Sequence, residues 1–172
     1  MKIQFSQFKT RLGGVVVYAR DGAVCALGFD RQRGALRRAL ERRFGALELE
    51  RVRDAGGAAR ALRAYFAGDL GAAASVPLDL AGTEFQRSVW RVLRGIPAGR
   101  TLTYAALARG VGRPKAVRAV ASANAHNPAC ILVPCHRVIG TDGALHGYAG
   151  GLERKRRLLD HERAHTEGAA VA

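Results

Sequence analysis

The sequence predicts an α/β protein in two parts: a small antiparallel sheet with helices over residues 1–80, then a mainly helical half with a helix-turn-helix over residues 81–172. Three observations predict it. "VVVYARDGAVCALGF" reads as strand, tight turn, strand, and helical periodicity follows it. "GDLGAAASVPLDLAG" then breaks that pattern and reads as a linker. From Thr83 onward, apolar residues recur at helical spacing, and two short helical stretches flank a glycine turn.

In order along the chain, Val15–Tyr18 and Ala23–Phe29 are rich in β-branched and aromatic residues, and Asp21-Gly22 between them is a hairpin turn signal. Asp30 is placed to cap a helix over Arg31–Phe44, where Leu36, Leu40 and Phe44 interleave with arginines. Ala58–Phe66 reads as a shorter helix, and the linker runs into a short strand, Val76–Leu80. Thr83 followed three residues later by Gln86 is a capping box, and Phe85, Val89, Trp90, Val92 and Leu93 form the apolar face of the helix it opens. Gly95-Ile96-Pro97 ends that helix. Thr103 is placed to cap Tyr104–Arg109, Gly110 and Gly112 make a turn, and Pro114 suits the first position of a helix running to Asn124. Helix, glycine turn, helix is the helix-turn-helix pattern. Its second helix exposes Lys115 and Arg118 but is otherwise small, which favours close approach over reading of base edges. "GLERKRRLLDHERAH" reads as an amphipathic helix.

The 172 residues carry a net charge of +14 and 48% hydrophobic residues, enough for a packed core and against a disordered tail. Residues 1–80 hold 14 Lys and Arg against 8 Asp and Glu, and residues 81–172 hold 14 against 6, so the basic charge is not confined to a tail. Such a surface suits a polyanion, nucleic acid first. Three widely spaced cysteines and an N-terminus without an apolar signal segment argue against a disulfide framework and for a reducing, cytoplasmic setting. No apolar run is long enough to span a membrane.

"ILVPCHRVIG" holds Cys135 beside His136 at the end of an apolar stretch read as a strand. Three readings compete. A thiol after a strand is often a small core hydrophobe, as expected for Cys25 and Cys130. A metal site needs ligand pairs at zinc spacing. Cys130, Cys135, His126, His136, His146 and His161 do not offer them, so no metal is expected. A nucleophile needs a base to take the thiol proton and an acid to orient that base. His136 and Glu162 are available for those roles, with a bridging water between neighbours that point apart. Pro134 before the cysteine and His136-Arg137 after it are an odd setting for an inert thiol.

Read together and in order, "FQRSVW", "TYAALA", "RPKAVRAV", "NPACILVPCHRVIG" and "GYAGGLERKRRLLDHE" resemble the O6-alkylguanine-DNA alkyltransferase family, over about residues 83–163. The resemblance implies a ribonuclease H-like N-terminal half and a protein that acts as a monomer on double-stranded DNA containing O6-alkylguanine, with O4-alkylthymine a further candidate. It implies minor-groove binding, flipping of the damaged base, and transfer of the alkyl group to a cysteine in a single turnover without a cofactor. Cys135 stands at the acceptor position, with His136 as base through water and Glu162 behind it. Asn127 stands where an asparagine braces the active-site turn, and Tyr104 where a tyrosine hydroxyl donates to the leaving guanine. Arg118 stands at the arginine that fills the gap left by the flipped base. Val138 and Tyr148 line the base pocket, and Ala149 and Gly150 offer backbone groups where some relatives have a serine. Lys115, Thr103 and Arg137 complete the expected DNA- and substrate-contacting set. The rival the resemblance raises is a non-catalytic lesion binder, a group with tryptophan at the acceptor position, which Cys135 disfavours. A helix-turn-helix regulator is a second rival, weakened because neither a separate effector domain nor a cysteine-rich sensor is evident.

Overall fold

The structure, a computed structural model, describes residues 1–167, so the last five residues of the expected second half lie outside the described residues. The chain divides into two units, Met1–Ala81 and Gly82–Ala172.

The first unit is built on a four-stranded sheet in the order β3-β2-β1-β4. Strands β1 (Lys2–Thr10), β2 (Gly13–Arg20) and β3 (Ala23–Phe29) are antiparallel, while β4 (Glu48–Arg51) runs parallel to β1, pairing Ile3 with Leu49. The sheet is therefore mixed, not antiparallel as the sequence suggests. The expected hairpin forms with Arg20 opposite Ala23, and both turn residues take positive φ, 49° at Asp21 and 79° at Gly22. That is the mirror-image turn whose twist matches the strands, and Asp-Gly favours it. Val15–Ala19 is buried without interruption because both faces of this central strand are covered. Val16, Tyr18, Cys25 and Ala26 pack with Leu40 and the half-buried Leu36 and Phe44 of α1 (Arg33–Phe44). The second helix, α2 (Ala58–Phe66), lies against β1.

Two further expectations for this unit fail. Asp30 does not cap α1: it sits inside a 3-10 turn, Asp30–Gln32, and the Gln32 side chain accepts from the Phe29 N–H at 2.9 Å instead. Val76–Leu80 does not form a strand. It makes one isolated bridge, Val24 with Leu78, held by bonds from Val24 N–H to Pro77 O and from Asp79 N–H to Val24 O. Pro77 has no N–H to extend a ladder.

The second unit opens with α3 (Glu84–Arg94). Its capping box is formed as expected: the Gln86 N–H donates to Thr83 Oγ1 at 3.1 Å and the Thr83 N–H to Gln86 Oε1 at 2.9 Å. Val89, Trp90 and Leu93 face inward, and the Trp90 indole donates to Ala123 O at 2.9 Å, tying α3 to α5 (Val117–Ala125). Helix α4 (Tyr104–Gly110) is capped by Thr103, whose Oγ1 accepts from the Ala106 N–H. It is joined to α5 by the turn through Gly112, at φ 72°. Pro114 does not start α5. Pro114 and Lys115 lie in a separate turn closed by the Ala116 N–H on Arg113 O, so Lys115 precedes the helix it was assigned to. A turn with proline second satisfies the same φ restriction as a helix start. The apolar stretch before Cys135 is likewise no strand. It is a compact loop, with a bridge from Cys130 to Val133, that leads to the short β6 (Val138–Ile139). β6 pairs in parallel with β5 (Leu102–Thr103). The unit closes with α6 (Leu152–Glu167).

Candidate active site

The loop between α5 and Cys135 is clamped by one side chain. Asn127 donates from Nδ2 to Val133 O at 2.8 Å and accepts at Oδ1 from the Ala129 N–H at 2.9 Å. The Val133 N–H donates to Ala129 O and the Cys135 N–H to Val133 O, so the chain folds back on itself within seven residues. Ile131 takes φ 72° to allow this, a conformation a β-branched residue adopts only when its surroundings impose it. Pro134 then leads into a 3-10 turn, Cys135–Arg137, in which all three side chains are buried.

Parallel pairing of Leu102 with Val138 and Thr103 with Ile139 brings the start of α4 beside this turn. Tyr104, half-buried, donates from its hydroxyl to His146 O at 3.4 Å. From the other side α6 presents Lys155, Leu158 and Glu162, at positions i, i+3 and i+7, each 0% exposed. Lys155 Nζ donates to the same His146 carbonyl at 2.7 Å and lies 5.9 Å from the centre of the Tyr104 ring.

Glu162 is the hub of the buried charges. It takes the His136 Nε2–H at 2.8 Å, the Arg137 guanidinium on both oxygens at 2.8–3.2 Å, and the Gly99 N–H at 3.0 Å. Arg137 also donates to Ile96 O. Burial works to raise the carboxyl, but His136 and Arg137 outweigh it and hold Glu162 well below the usual carboxylate range. Burial pushes the His136 imidazole below its ordinary value, against the opposing pull of Glu162, so the ring is neutral at pH 7. With Nε2 donating to a carboxylate, the remaining nitrogen is an acceptor. Among the described residues, Nδ1 has no hydrogen-bond partner.

The Cys135 thiol, 3% exposed, is pulled below its ordinary value. The largest cause is a hydrogen bond from Cys130. Burial opposes it, and the Asn127 amide and the Lys155 ammonium add to it. Lys155 is lowered to about 8 by burial, with Cys135 pulling it upward. Burial and the negative charge of Cys135 raise the Tyr104 hydroxyl.

The structure thus gathers Cys135, His136, Glu162, Asn127 and Tyr104 around one turn. Val138 is buried at the head of β6. Tyr148, also buried, opens a turn through Ala149 and Gly150 that is closed by the Gly151 N–H on its carbonyl. Arg118 and Lys115 are exposed, on the first turn of α5 and in the turn before it. Arg137 is not a surface contact as expected: it is 7% exposed and turned inward to neutralise Glu162, because a buried carboxylate beside a neutral imidazole needs a cation. The Thr103 hydroxyl is engaged as the cap of α4. Lys155 was missed from sequence. Its signal was the spacing with Leu158 and Glu162, which puts it on the inner face of an otherwise basic helix. Among the described residues no group of three or more His, Cys, Asp or Glu is arranged to hold a metal ion.

Residues 84–164 match the family of 6-O-methylguanine DNA methyltransferase DNA-binding domains. The chain is 54% identical over 117 residues to a methylated-DNA–protein-cysteine methyltransferase of Mycolicibacterium paratuberculosis, covering 68% of this chain and 70% of the relative. It is 53% identical over 107 residues to one of Shigella flexneri, covering 62% of this chain and 63% of the relative. Among solved structures, it resembles Mycobacterium tuberculosis OGT in complex with DNA, with a TM-score of 0.80, 37% identity and 94% of each chain covered. It also resembles the O6-methylguanine-DNA methyltransferase of Pyrococcus kodakaraensis, with a TM-score of 0.73, 29% identity, and 92% of this chain and 98% of that one covered.

Proposed function

Because this chain belongs to the methylated-DNA–protein-cysteine methyltransferase family, we propose that it reverses DNA alkylation by moving the alkyl group from O6-alkylguanine in duplex DNA onto Cys135, once per molecule. O4-alkylthymine is a second candidate substrate. The observation that carries this reading is the state of the buried pair. Cys135 is a thiol pulled toward its anion, and the adjoining His136 is neutral, with one nitrogen committed to Glu162 and the other open.

In the reaction, His136 Nδ1 takes the Cys135 proton, relayed by one water because no hydrogen bond joins the two side chains directly among the described residues. The thiolate attacks the alkyl carbon, the carbon–sulfur bond forms as the bond to O6 breaks, and the electron pair leaves on guanine. Glu162 stabilises the imidazolium and holds the ring so that Nδ1 faces the thiol. The guanine anion is met by the Tyr104 hydroxyl, with Lys155 beside it, and by backbone donors of the Tyr148–Gly151 turn. Val138 and Tyr148 line the base pocket. The thioether has no leaving group to restore the thiol, so one protein molecule repairs one lesion and no cofactor is required.

Helices α4 and α5 serve as a helix-turn-helix. The exposed side of α5 carries Val117, Arg118, Ala119, Ser122 and Ala125, small enough for a minor groove that offers little sequence information. Arg118 fills the space left by the flipped base, offsetting a few kcal/mol of unstacking, and Lys115 lies against phosphate. The sheet order β3-β2-β1-β4, with a parallel fourth strand, supports a ribonuclease H-like first unit. No helix among the described residues is long and apolar enough to cross a membrane. An intracellular monomer acting on chromosomal DNA fits the free cysteines and the charge.

Incubation with a duplex carrying O6-methylguanine, followed by peptide mass measurement, tests the reading. One methyl group on the peptide holding Cys135, at one per protein, is expected, and Cys135→Ser is expected to bind the duplex without accepting the group. Tight binding with no mass change would favour a lesion binder, and repeated turnover would exclude the irreversible thioether.

A further inference from the structure

We propose that the outer face of α1, in the first unit, is a second surface for the phosphate backbone of double-stranded DNA, separate from the helix-turn-helix. The proposal takes duplex DNA as the partner from the proposed function. It adds a contact in the unit to which that reading gives no role.

The sequence of α1, "RGALRRALERRF", has five arginines and one acid. Residues 30–44 hold six arginines against Asp30 and Glu41, so +4 of the +6 carried by residues 1–80 lies in this short segment. Two of these arginines are already engaged. Arg43 is half-buried, donates to the Asp79 carboxylate at 2.6 Å and to the Asp79 carbonyl at 2.7 Å, and lies 4.4 Å from the centre of the Phe44 ring. It serves the fold. Arg37 donates to Glu41 at 2.8 Å. Arg33, Arg38 and Arg42 are exposed and have no carboxylate partner among the described residues.

Their spacing works against the helix. Arg33 with Arg37 and Arg38 with Arg42 are like charges four residues apart, which repel on a helix surface. Arg33 also stands in a first turn that holds no acid, where the helix dipole disfavours a cation. Leu36, Leu40 and Phe44 lie against the sheet, so Arg38 and Arg42 face outward on the opposite side, with the exposed Ala35 and Ala39 beside them. The two are one turn apart, about 6 Å along the axis. Gly34 leaves room for Arg38, since a Cβ there would stand 3.3 Å from its Nη1.

A row of guanidiniums among small residues lets a polyanion come close. A duplex presents a phosphate about every 3.4 Å of axis on each strand, and arginine binds phosphate through paired donors. The face offers no Asn or Gln to read base edges, so the contact is with the backbone and independent of sequence. An anionic membrane fits less well. A basic helix lying on a membrane buries its apolar face in the lipid, and here that face is covered by the sheet.

Affinity for an undamaged duplex is measured against salt for the wild type, for Arg38→Ala/Arg42→Ala, and for Arg53→Ala/Arg60→Ala, which removes the same charge from exposed positions elsewhere in the first unit. The α1 variant is expected to bind about tenfold more weakly at 50 mM salt, with a salt slope shallower by about one to two, while the other double variant stays near the wild type. Its methyl transfer from an O6-methylguanine duplex at saturating protein is expected to be unchanged. Thermal unfolding separates a binding role from a structural one: relief of the like-charge pair should leave the α1 variant melting no lower than the wild type. An unchanged slope, an equal loss in both double variants, or a lowered melting temperature would each overturn the proposal. So would an α1 variant that keeps its duplex affinity but no longer binds vesicles of phosphatidylserine and phosphatidylcholine, an outcome that assigns the face to a membrane. A wild type that binds no duplex would overturn the proposed function as well, whereas a wild type that binds duplex but accepts no methyl would count against the proposed function alone.

Discussion

Burying a carboxylate, an imidazole and a guanidinium together is favourable only when each satisfies the others, and the cluster around Glu162 depends on all three. Glu162→Gln leaves Arg137 buried opposite a neutral amide. A loss of about 3–5 kcal/mol in urea denaturation is expected, with methyl transfer also impaired. The pH dependence follows from two depressed groups. His136 is neutral in the fold but charges in the unfolded chain below about pH 6.5, so acid favours unfolding there. Glu162 keeps its charge in the fold but is protonated in the unfolded chain below about pH 4.3, so its contribution, present above that pH, is lost on further acidification. Stability measured at pH 7, 5.5 and 4 should fall at each step, and His136→Gln should flatten the first step. The adjacency of Cys135 and His136 was legible in the sequence, as was Glu162 as an acid. The inward turn of Arg137 was not, since an arginine two residues past the cysteine in a +14 protein reads first as a DNA contact.

Elements form where local signals are self-contained. The capping box of α3, the Asp-Gly hairpin and the Thr103 cap of α4 each rest on neighbours within four residues, and each stands in the structure as the sequence indicated. Thr83→Ala should cost about 1 kcal/mol on thermal or urea unfolding. Strands β1 and β4 escaped notice because neither has a clean alternation. "KIQFSQFKT" pairs along most of its length with β2, and its first residues pair with "ELER" 46 residues away, in a parallel register that no local pattern encodes. Pro114 misplaced the start of α5 because its fixed φ suits a turn as well as a first helical residue. The Cys135 loop is held by Asn127, not by a ladder. Asn127→Ala should cost about 2–4 kcal/mol, since it strands a buried carbonyl at Val133 and a buried N–H at Ala129. Melting of that variant with unchanged stability would mean that the loop carries its own fold.

Over the whole molecule, +14 of net charge is a statement about the partner more than about the fold. Binding to undamaged duplex should weaken linearly with the logarithm of salt concentration, at about 0.9 per phosphate neutralised. Arg118→Ala should reduce methyl transfer from a lesion more than it reduces binding to plain DNA. A binding curve indifferent to salt would exclude phosphate contacts as the main source of affinity.

The sequence by itself determined the chemistry available: a cysteine, an imidazole, an acid and a phenol in motif order, a basic surface, and the local caps and turns that start each helix. Those depend on residue types and on spacings within a few positions. Only the tertiary structure decided which groups meet. It made the sheet mixed by pairing residues 2–5 with 48–51. It turned Arg137 inward and placed Lys155 of α6 beside Tyr104. Each of these is settled by burial, where an unpaired charge or polar group is costly enough that distant parts of the chain must supply its partner.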